Sequence, residues 1–285
     1  MMQKGKIFEE RIFKVLTGAA CYSLIAILGY IIFIIFRKGF SSLTLEMITQ
    51  LPSGGYYYGG EGGVLNAIAG SLYIAGGATL IALILGVPAA LYINSHLIRY
   101  KRTQNTVRYI LDSLWGIPSI VYGAFGFTLM IWLGMSASLL AGIITVSFLI
   151  TPIVIRSFDE VLSTIPIGLQ EAALSLGFTR SQTAFKILLK QGFSGLITAI
   201  LLAFGRGIGD AASVLFTAGY TDLIPANLDE PAATLPLSIF FQLSSPIPEV
   251  RERAYAAAAI LTIIVLVISL SARYFAKRYS KGNLK

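Results

Sequence analysis

Six long apolar runs constrain what this chain can fold into more than any other feature of its sequence. Each run reaches the roughly 20 residues that a helix needs to cross the hydrocarbon core of a bilayer. Only 13% of the 285 residues are charged, about half of the ~25% usual in a soluble domain. We therefore expect an all-α polytopic membrane protein with six transmembrane helices, over approximately residues 15–36, 66–93, 110–133, 136–155, 194–217 and 254–272.

The apolar runs are continuous, which excludes the alternating ten-residue pattern of a membrane β-barrel. Pro88, Pro118 and Pro152 lie within the second, third and fourth runs. Prolines inside spans are tolerated where neighbouring helices support the freed backbone groups. We expect kinks in these three helices.

Basic residues orient the predicted bundle. Seventeen Lys and Arg residues lie in segments on the N-terminal side of the membrane and four lie on the other side, while Arg206 falls within a span. Such an asymmetry marks the cytoplasmic side. We expect both termini to be cytoplasmic, so the net charge of +8 reflects topology and gives no indication of nucleic-acid binding.

No nucleotide-binding or catalytic motif is visible. The glycine-rich run at 52–63 lacks the Lys and Ser/Thr of a phosphate-binding loop, and we expect it to be an external loop with its tyrosines at the membrane interface. Cys21 is the only cysteine, so a disulfide framework is excluded. The sequence also lacks the His/Asp/Glu or Ser/His groupings that an intramembrane enzyme needs.

The polar gap at 156–191, predicted to be cytoplasmic, has the pattern of a helix-turn-helix. Thr164 can cap a helix whose first turn accepts Pro166, and Gly177 suits a left-handed end to that helix. A second helix is expected to start near Thr179 or Ser181 and to lead into the fifth span. Four residues of the first helix follow the spacing of one apolar face: Leu169, Ala172, Ala173 and Leu176.

Two interpretations of this loop remain open. One is a connector that lies flat on the membrane. The other is a protruding helix that inserts its apolar face into the groove of a partner protein.

The loop resembles the cytoplasmic signature of permease subunits of ATP-binding-cassette importers. That signature runs Glu-Ala-Ala, three residues, Gly, nine residues, Ile, one residue and Leu, and its positions here are Glu171, Ala172, Ala173, Gly177, Ile187 and Leu189. The resemblance implies the permease fold of these importers, with a cytoplasmic coupling helix that docks an ATPase dimer. ATP and Mg would be used by that ATPase, and this chain would bind no cofactor. Lys190 stands where the family usually has proline.

Further segments resemble the permeases of phosphate importers. Such an importer pairs two different permease subunits, and these segments resemble one of the two more than the other. The resemblance covers roughly 66–275 and rests on residues 116–123, 205–210, 215–218 and 233–239. It implies an N-terminal helix and external loop at 1–65, a permease domain at 66–275 and a cytoplasmic tail at 276–285. It also implies a multi-pass location in a prokaryotic cell (inner) membrane, a sister permease and an extracytoplasmic phosphate-binding protein.

Arg206 and Asp210 are charged residues inside the predicted fifth span. A charge at a helix centre costs about 2.5–3.5 kcal/mol on insertion scales, and the i, i+4 spacing allows the two residues to pair. One interpretation is a structural salt bridge. The other is that Arg206 meets an oxyanion on the substrate pathway, since a guanidinium offers a planar fork to phosphate oxygens, and that Asp210 releases it. The family more often has glutamate at position 210.

The sequence therefore predicts a non-catalytic permease subunit that imports inorganic phosphate with energy from ATP hydrolysis on a partner. Another oxyanion, such as molybdate or sulfate, is an alternative substrate. An ion-coupled secondary carrier with Arg206 and Asp210 as a relay is a further alternative. That class usually shows inverted repeats, and none is evident here.

Overall fold

A computed structural model describes the backbone of residues 2–53 and 62–282. Most of the glycine-rich run at 52–63 and the last residues of the predicted tail at 276–285 lie outside this part of the chain, so their predicted roles stay predictions. Within the described residues the regular secondary structure is helical, apart from one isolated bridge between Pro52 and Gly62.

The helices of the described residues differ widely in length, and the one over Arg180–Gln191 contains a π-helical turn at Ala184–Leu188. In chain order the helices are α1 (Met2–Gly39), α2 (Leu45–Thr49), α3 (Leu65–Ser95), α4 (Lys101–Trp115), α5 (Ser119–Trp132), α6 (Leu139–Ser163), α7 (Ile167–Ser175), α8 (Arg180–Gln191), α9 (Phe193–Ile208), α10 (Leu235–Leu243) and α11 (Pro248–Gly282).

Among the described residues, α1, α3, α6 and α11 are by themselves long and apolar enough to cross a membrane. With the 3-10 turns that follow α1 and α3, the candidate spans are Glu9–Ser42, Leu65–Arg99, Leu139–Ser163 and Pro248–Ser271. Two bent pairs meet the same test together. The axes of α4 and α5 differ by 92°, and those of α8 and α9 by 76°. If each bent pair counts as one span, the described chain has six, as the sequence predicts.

The third predicted span, a single helix over 110–133, is wrong in detail. The helix ends at Trp115 and a new one begins at Ser119. Pro118 explains the break, because it disfavours helical backbone at the residue before it and lacks an N–H. The α3 and α6 helices instead continue through Pro88 and Pro152.

The fifth predicted span, a helix over 194–217, is also wrong in its second half. The α9 helix ends at Ile208, and residues 209–217 form turns. Arg206 therefore lies in the last turn of a helix and not at its centre, and Asp210 lies beyond the helix end. Hydrophobicity located the segment correctly, but it carries no information on whether the backbone stays helical.

The core is built on α3 and α6, which make the most extensive helix pair. Gly77 lies against Ile143 and Gly86 against Val154. Residue numbers therefore rise together along the two helices, which shows that α3 and α6 run in the same direction. A Cβ at either glycine would come within 2.9 Å of the facing side chain, so the absent side chains allow the helices to approach closely. This parallel pairing agrees with the second and fourth spans crossing in the same direction.

Three buried clusters follow one another along this helix pair. The first lies where α3 begins and includes Val64, Ala67 and Leu235. The second surrounds the middle of α6 and includes Val146 and Val214. The third lies where α3 and α6 end and joins them to α8 and α9, through Ala90, Leu91, Phe158, Leu162, Ala184, Leu188, Leu196 and Ala199.

Candidate functional site

The first helix of the 156–191 loop is α7, and it starts without a side-chain cap. The prediction that Thr164 caps it is wrong. The α6 helix extends to Ser163, and the Thr164 hydroxyl donates to the Val161 carbonyl at 2.7 Å. Pro166 occupies the position before the first helical residue, Ile167. The extra length of α6 uses the residue that could have served as the cap.

Gly177 ends α7 in the left-handed conformation that its sequence position predicts, with φ of +87°. The Gly177 N–H donates to the Leu174 carbonyl at 3.0 Å, and the Phe178 N–H donates to the Ala173 carbonyl at 3.1 Å. These two bonds form a Schellman motif. Thr179 then starts α8 in a reciprocal capping box with Gln182, so Thr179 is the correct one of the two predicted starts.

The predicted apolar face of α7 is divided between protein and surroundings. Ala173 is 4% exposed and points inward together with Gln170, whereas Glu171 and Ala172 are exposed. Leu176 is 80% exposed. Other large apolar side chains beside it are exposed as well: Ile167, Leu169, Leu174 and Phe185. The loop therefore presents an apolar surface that the described part of this chain leaves uncovered.

The other end of the loop is held firmly against the bundle. Arg180 donates from Nη1 to the Ser95 carbonyl at the end of α3 at 2.8 Å. Leu188 is fully buried, while Ile187 and Leu189 are half-buried. The bend between α8 and α9 falls at Gly192, where a Cβ would lie 2.9 Å from Leu162 Cδ2. The bend thus occurs without a proline at position 190.

Arg206 and Asp210 form a loose pair at the end of α9. Arg206 Nη2 lies 4.0 Å from Asp210 Oδ1, and their side chains are 49% and 5% exposed. Asp210 Oδ2 accepts a hydrogen bond from the Ser213 N–H at 2.8 Å, so the carboxylate is held by the turn that follows it. The carboxylate is thus fixed, while the guanidinium is half-exposed and only loosely paired with it.

The turns after Asp210 are packed against three other elements. The Ser138 N–H donates to the Thr217 carbonyl at 2.9 Å, and the Ala232 N–H donates to the Ala218 carbonyl at 2.8 Å. Gly123 of α5 lies so close that a Cβ there would be 2.7 Å from the Ala212 carbonyl oxygen. The structure thus brings together the 116–123 and 205–218 segments that the sequence analysis singled out separately.

Sequence reasoning missed a second charged site, centred on Asp159. This carboxylate is 0% exposed and accepts hydrogen bonds from Arg108 at 2.7 and 2.9 Å, from Arg156 at 3.0 Å and from Asn94 at 2.8 Å. Arg156 also bonds Asp112 at 2.6 Å. The site therefore fastens α3, α4 and α6 to one another.

The local part of this site was visible in the sequence. Asp159 and Glu160 follow Arg156 at the i+3 and i+4 positions of one helix, where they pair with it. The long-range part was not visible, since Arg108 and Asn94 lie 51 and 65 residues from Asp159. Within the described residues no group of three or more His, Cys, Asp or Glu side chains could hold a metal ion.

Comparisons with known proteins agree with this architecture. The chain is 35% identical to the phosphate transport system permease protein PstA of Haemophilus influenzae, over 87% of this chain and 86% of that protein. It is also 35% identical to PstA of Yersinia pestis, over 95% and 91% of the two chains. An inward-facing structure of the MetNI methionine ABC transporter shares the fold, with a TM-score of 0.62 and 20% identity over 76% of this chain and 95% of that one.

The family model for binding-protein-dependent transport system inner membrane components matches residues 82–281, which include both charged sites and the whole 156–191 loop. The chain belongs to this family of inner membrane transport components.

Proposed function

We propose that this chain is the PstA-like permease subunit of an ATP-driven importer and that it carries inorganic phosphate into the cytoplasm. Identity of 35% to phosphate permeases over most of both chains carries this proposal. The geometry at Arg206 supports it, because a half-exposed guanidinium at 4.0 Å from its carboxylate can exchange that partner for an oxyanion without a large rearrangement.

Asp210 has a positioning role in this proposal. Its Oδ2 is held by the Ser213 N–H, so the carboxylate stays in place when the arginine leaves it. Because the pair is loose, phosphate competes with a weak interaction and not with a bidentate one. Arg206 would thus bind substrate during passage, and Asp210 would recover the guanidinium afterwards.

The loop at 156–191 would receive the force of a cytoplasmic ATPase dimer, which uses ATP and Mg. Its exposed apolar side chains fit a helix-in-groove contact, with Leu169, Leu176 and Ala172 directed outward and Glu171 beside them. Leu189 would connect this contact to the bundle, since it packs against the buried cluster that contains Leu188. The half-buried Ile187 lies beside it. Gly177 sets the turn between the two loop helices.

The remaining partners follow from this role. A PstC-like sister permease would complete the channel, and membrane lipid would cover much of α1, whose spanning window has no buried residue. The predicted outer face carries a net charge of −3, so it does not attract free anions by its own field. An extracytoplasmic phosphate-binding protein would deliver the substrate. Both termini would be cytoplasmic.

The test is ATP-dependent phosphate uptake into vesicles that hold the reconstituted complex. We expect Arg206→Gln to abolish uptake while the complex still assembles, and Arg251→Gln, an exposed arginine at the predicted outer face, to leave uptake intact. Normal uptake by Arg206→Gln would overturn the pathway role. Uptake of sulfate or molybdate in preference to phosphate, or uptake driven by an ion gradient without ATP, would overturn the proposed substrate or energy source.

A further inference from the structure

A polar cavity of about 400 Å³ lies between the end of α3, the start of α4, the end of α6 and the start of α7. It is separate from the Arg206–Asp210 pair, which lies on a different helix. Its wall contains two cationic side chains, Lys101 and Arg108, and two buried amides, Gln104 and Gln170. Of the described residues that line it, none is acidic.

Gln170 is the amide in this wall that has no partner among the described residues. It is 8% exposed, and its side-chain amide makes no hydrogen bond to any described residue. The amide atoms are not closed off from solvent, so they are open to the cavity that the residue lines. Gln104 differs, because its Nε2 donates to the Ile93 carbonyl at 2.9 Å. The amide of Gln170 therefore has both a donor and an acceptor available for an occupant of the cavity.

Both cations retain unused hydrogen-bond donors. Arg108 uses Nε and Nη2 to bind Asp159 and Asn94, which leaves Nη1 without a partner among the described residues. Lys101 forms no ion pair with a described residue. Asp159 already balances the charge of Arg108, so Lys101 supplies the net positive charge of the wall. Its ammonium group and the free edge of the Arg108 guanidinium together favour an anionic ligand with several oxygen acceptors.

Two helix starts border the same cavity. The α4 helix begins at Lys101 and α7 begins at Ile167, and neither has a side-chain cap. The first N–H groups of a helix lack internal partners and carry a partial positive charge. Together with the lysine, the arginine and the unpaired amide, they make the cavity suited to a phosphate group.

We propose that this cavity binds a phosphate group, which bridges α4 and α7 and so ties α7 to the bundle. The chemistry fits either free inorganic phosphate or the headgroup of an anionic phospholipid. Its position on the cytoplasmic side rests on the proposed topology, whereas binding itself does not. The experiment therefore measures binding and requires no transport.

The assembled transporter is titrated with inorganic phosphate in maltoside micelles, which contain no phosphate, with nucleotide and the external binding protein left out. An Arg206→Gln background removes the substrate pathway from the signal. By calorimetry we expect Lys101→Gln and Gln170→Leu each to weaken binding about tenfold or more, the loss of one charged or buried hydrogen bond. Arg102→Gln removes the same charge from a neighbouring residue outside the cavity and should leave the affinity unchanged.

A second arm identifies a lipid source. The same variants are purified from nanodiscs that contain phosphatidylglycerol, and bound lipid is counted by native mass spectrometry. If the headgroup is the occupant, the parent and Arg102→Gln retain a lipid that Lys101→Gln and Gln170→Leu lose, while free phosphate shows no difference. If neither phosphate affinity nor lipid retention separates the cavity variants from Arg102→Gln, the proposal is overturned.

Discussion

The two charged sites of this protein differ in how firmly they hold an arginine. Buried Asp159 binds Arg108 through two hydrogen bonds at 2.7 and 2.9 Å and also binds Arg156 at 3.0 Å. Asp210 lies 4.0 Å from Arg206, whose side chain is 49% exposed. Both sites are arginine–carboxylate pairs, yet only one has the distance and burial of a structural interaction.

This difference separates a site that fixes the fold from one that can change partners. A network centred on a fully buried carboxylate is costly to break, because removal of that carboxylate leaves uncompensated positive charges. A loose pair with one exposed member contributes little to stability. Asp159 therefore adds to the apolar packing that holds α3 and α6 together and fastens α4 to them. The loose pair at Arg206 makes no comparable contribution.

Removal of the carboxylate of Asp159 should have the largest effect on stability. Asp159→Asn leaves two arginines facing a neutral amide, and we expect the free energy of unfolding to fall by about 3–5 kcal/mol. Denaturant unfolding of the detergent-solubilised protein measures this loss. Glu160→Gln is the matched control, because Glu160 is 59% exposed in its pair with Arg156 and should cost about 1 kcal/mol or less. Equal losses of unfolding free energy in the two variants would contradict the structural role assigned to Asp159.

The close contact between Gly123 of α5 and the turn after Asp210 should give an intermediate effect on stability. In Gly123→Ala the new methyl group would lie 2.7 Å from the Ala212 carbonyl oxygen, and overpacking of this kind costs about 1–3 kcal/mol. Gly205→Ala has no atom within 4 Å of the new Cβ and should leave the free energy of unfolding unchanged or slightly higher. If Gly123→Ala proved no worse than Gly205→Ala in thermal unfolding, the turn at Asp210 would not be held by α5.

Arg206→Lys should separate function from stability. Lysine keeps the charge near Asp210 but lacks the planar fork, so we expect phosphate uptake to fall while the free energy of unfolding changes by about 1 kcal/mol or less. Parallel uptake and unfolding measurements check this prediction. A loss of several kcal/mol in the unfolding assay would place Arg206 in the same structural class as Arg108.

The carboxylate of Glu230 should have the smallest effect on stability of the carboxylates compared. Glu230 accepts hydrogen bonds from the Ala226 N–H at 2.7 Å and from Asn227 Nδ2 at 2.9 Å, and these bonds lower its pKa. Because the folded pKa is depressed, the carboxylate stabilises this turn at pH values above the ordinary glutamate range, and the stabilisation is lost as the pH falls through the folded pKa. Hydrogen exchange at Ala226 should report this loss, and Glu230→Gln should reduce protection at neutral pH.

Local chemistry explains what the sequence predicted correctly. Gly177 and Thr179 were placed correctly because a left-handed turn and a capping box depend on residues within one or two turns. Thr164 was misassigned because the length of α6 depends on packing at its far end. The sequence likewise showed that 194–217 is apolar enough for a membrane, but the end of α9 at Ile208 depends on contacts with α5 and α6.

The Asp159 site shows a different limit. Its members come from three helices, and their positive charges were counted only as evidence for the cytoplasmic side of the membrane. A single sequence offers no way to tell a solvated loop arginine from one that reaches a carboxylate 51 residues away. That pairing depends on how α4 packs against α6, which is known only in three dimensions.

The bend at Gly192 determines where a force on α7 would go. The α8 helix leaves α9 at 76°, its start is bonded to the end of α3 through Arg180 and Ser95, and its Leu188 is fully buried. A displacement applied to α7 would therefore reach α3 and α9 together, because α8 is attached to both. A side chain at position 192 would disturb this junction, because its Cβ would lie 2.9 Å from Leu162 Cδ2.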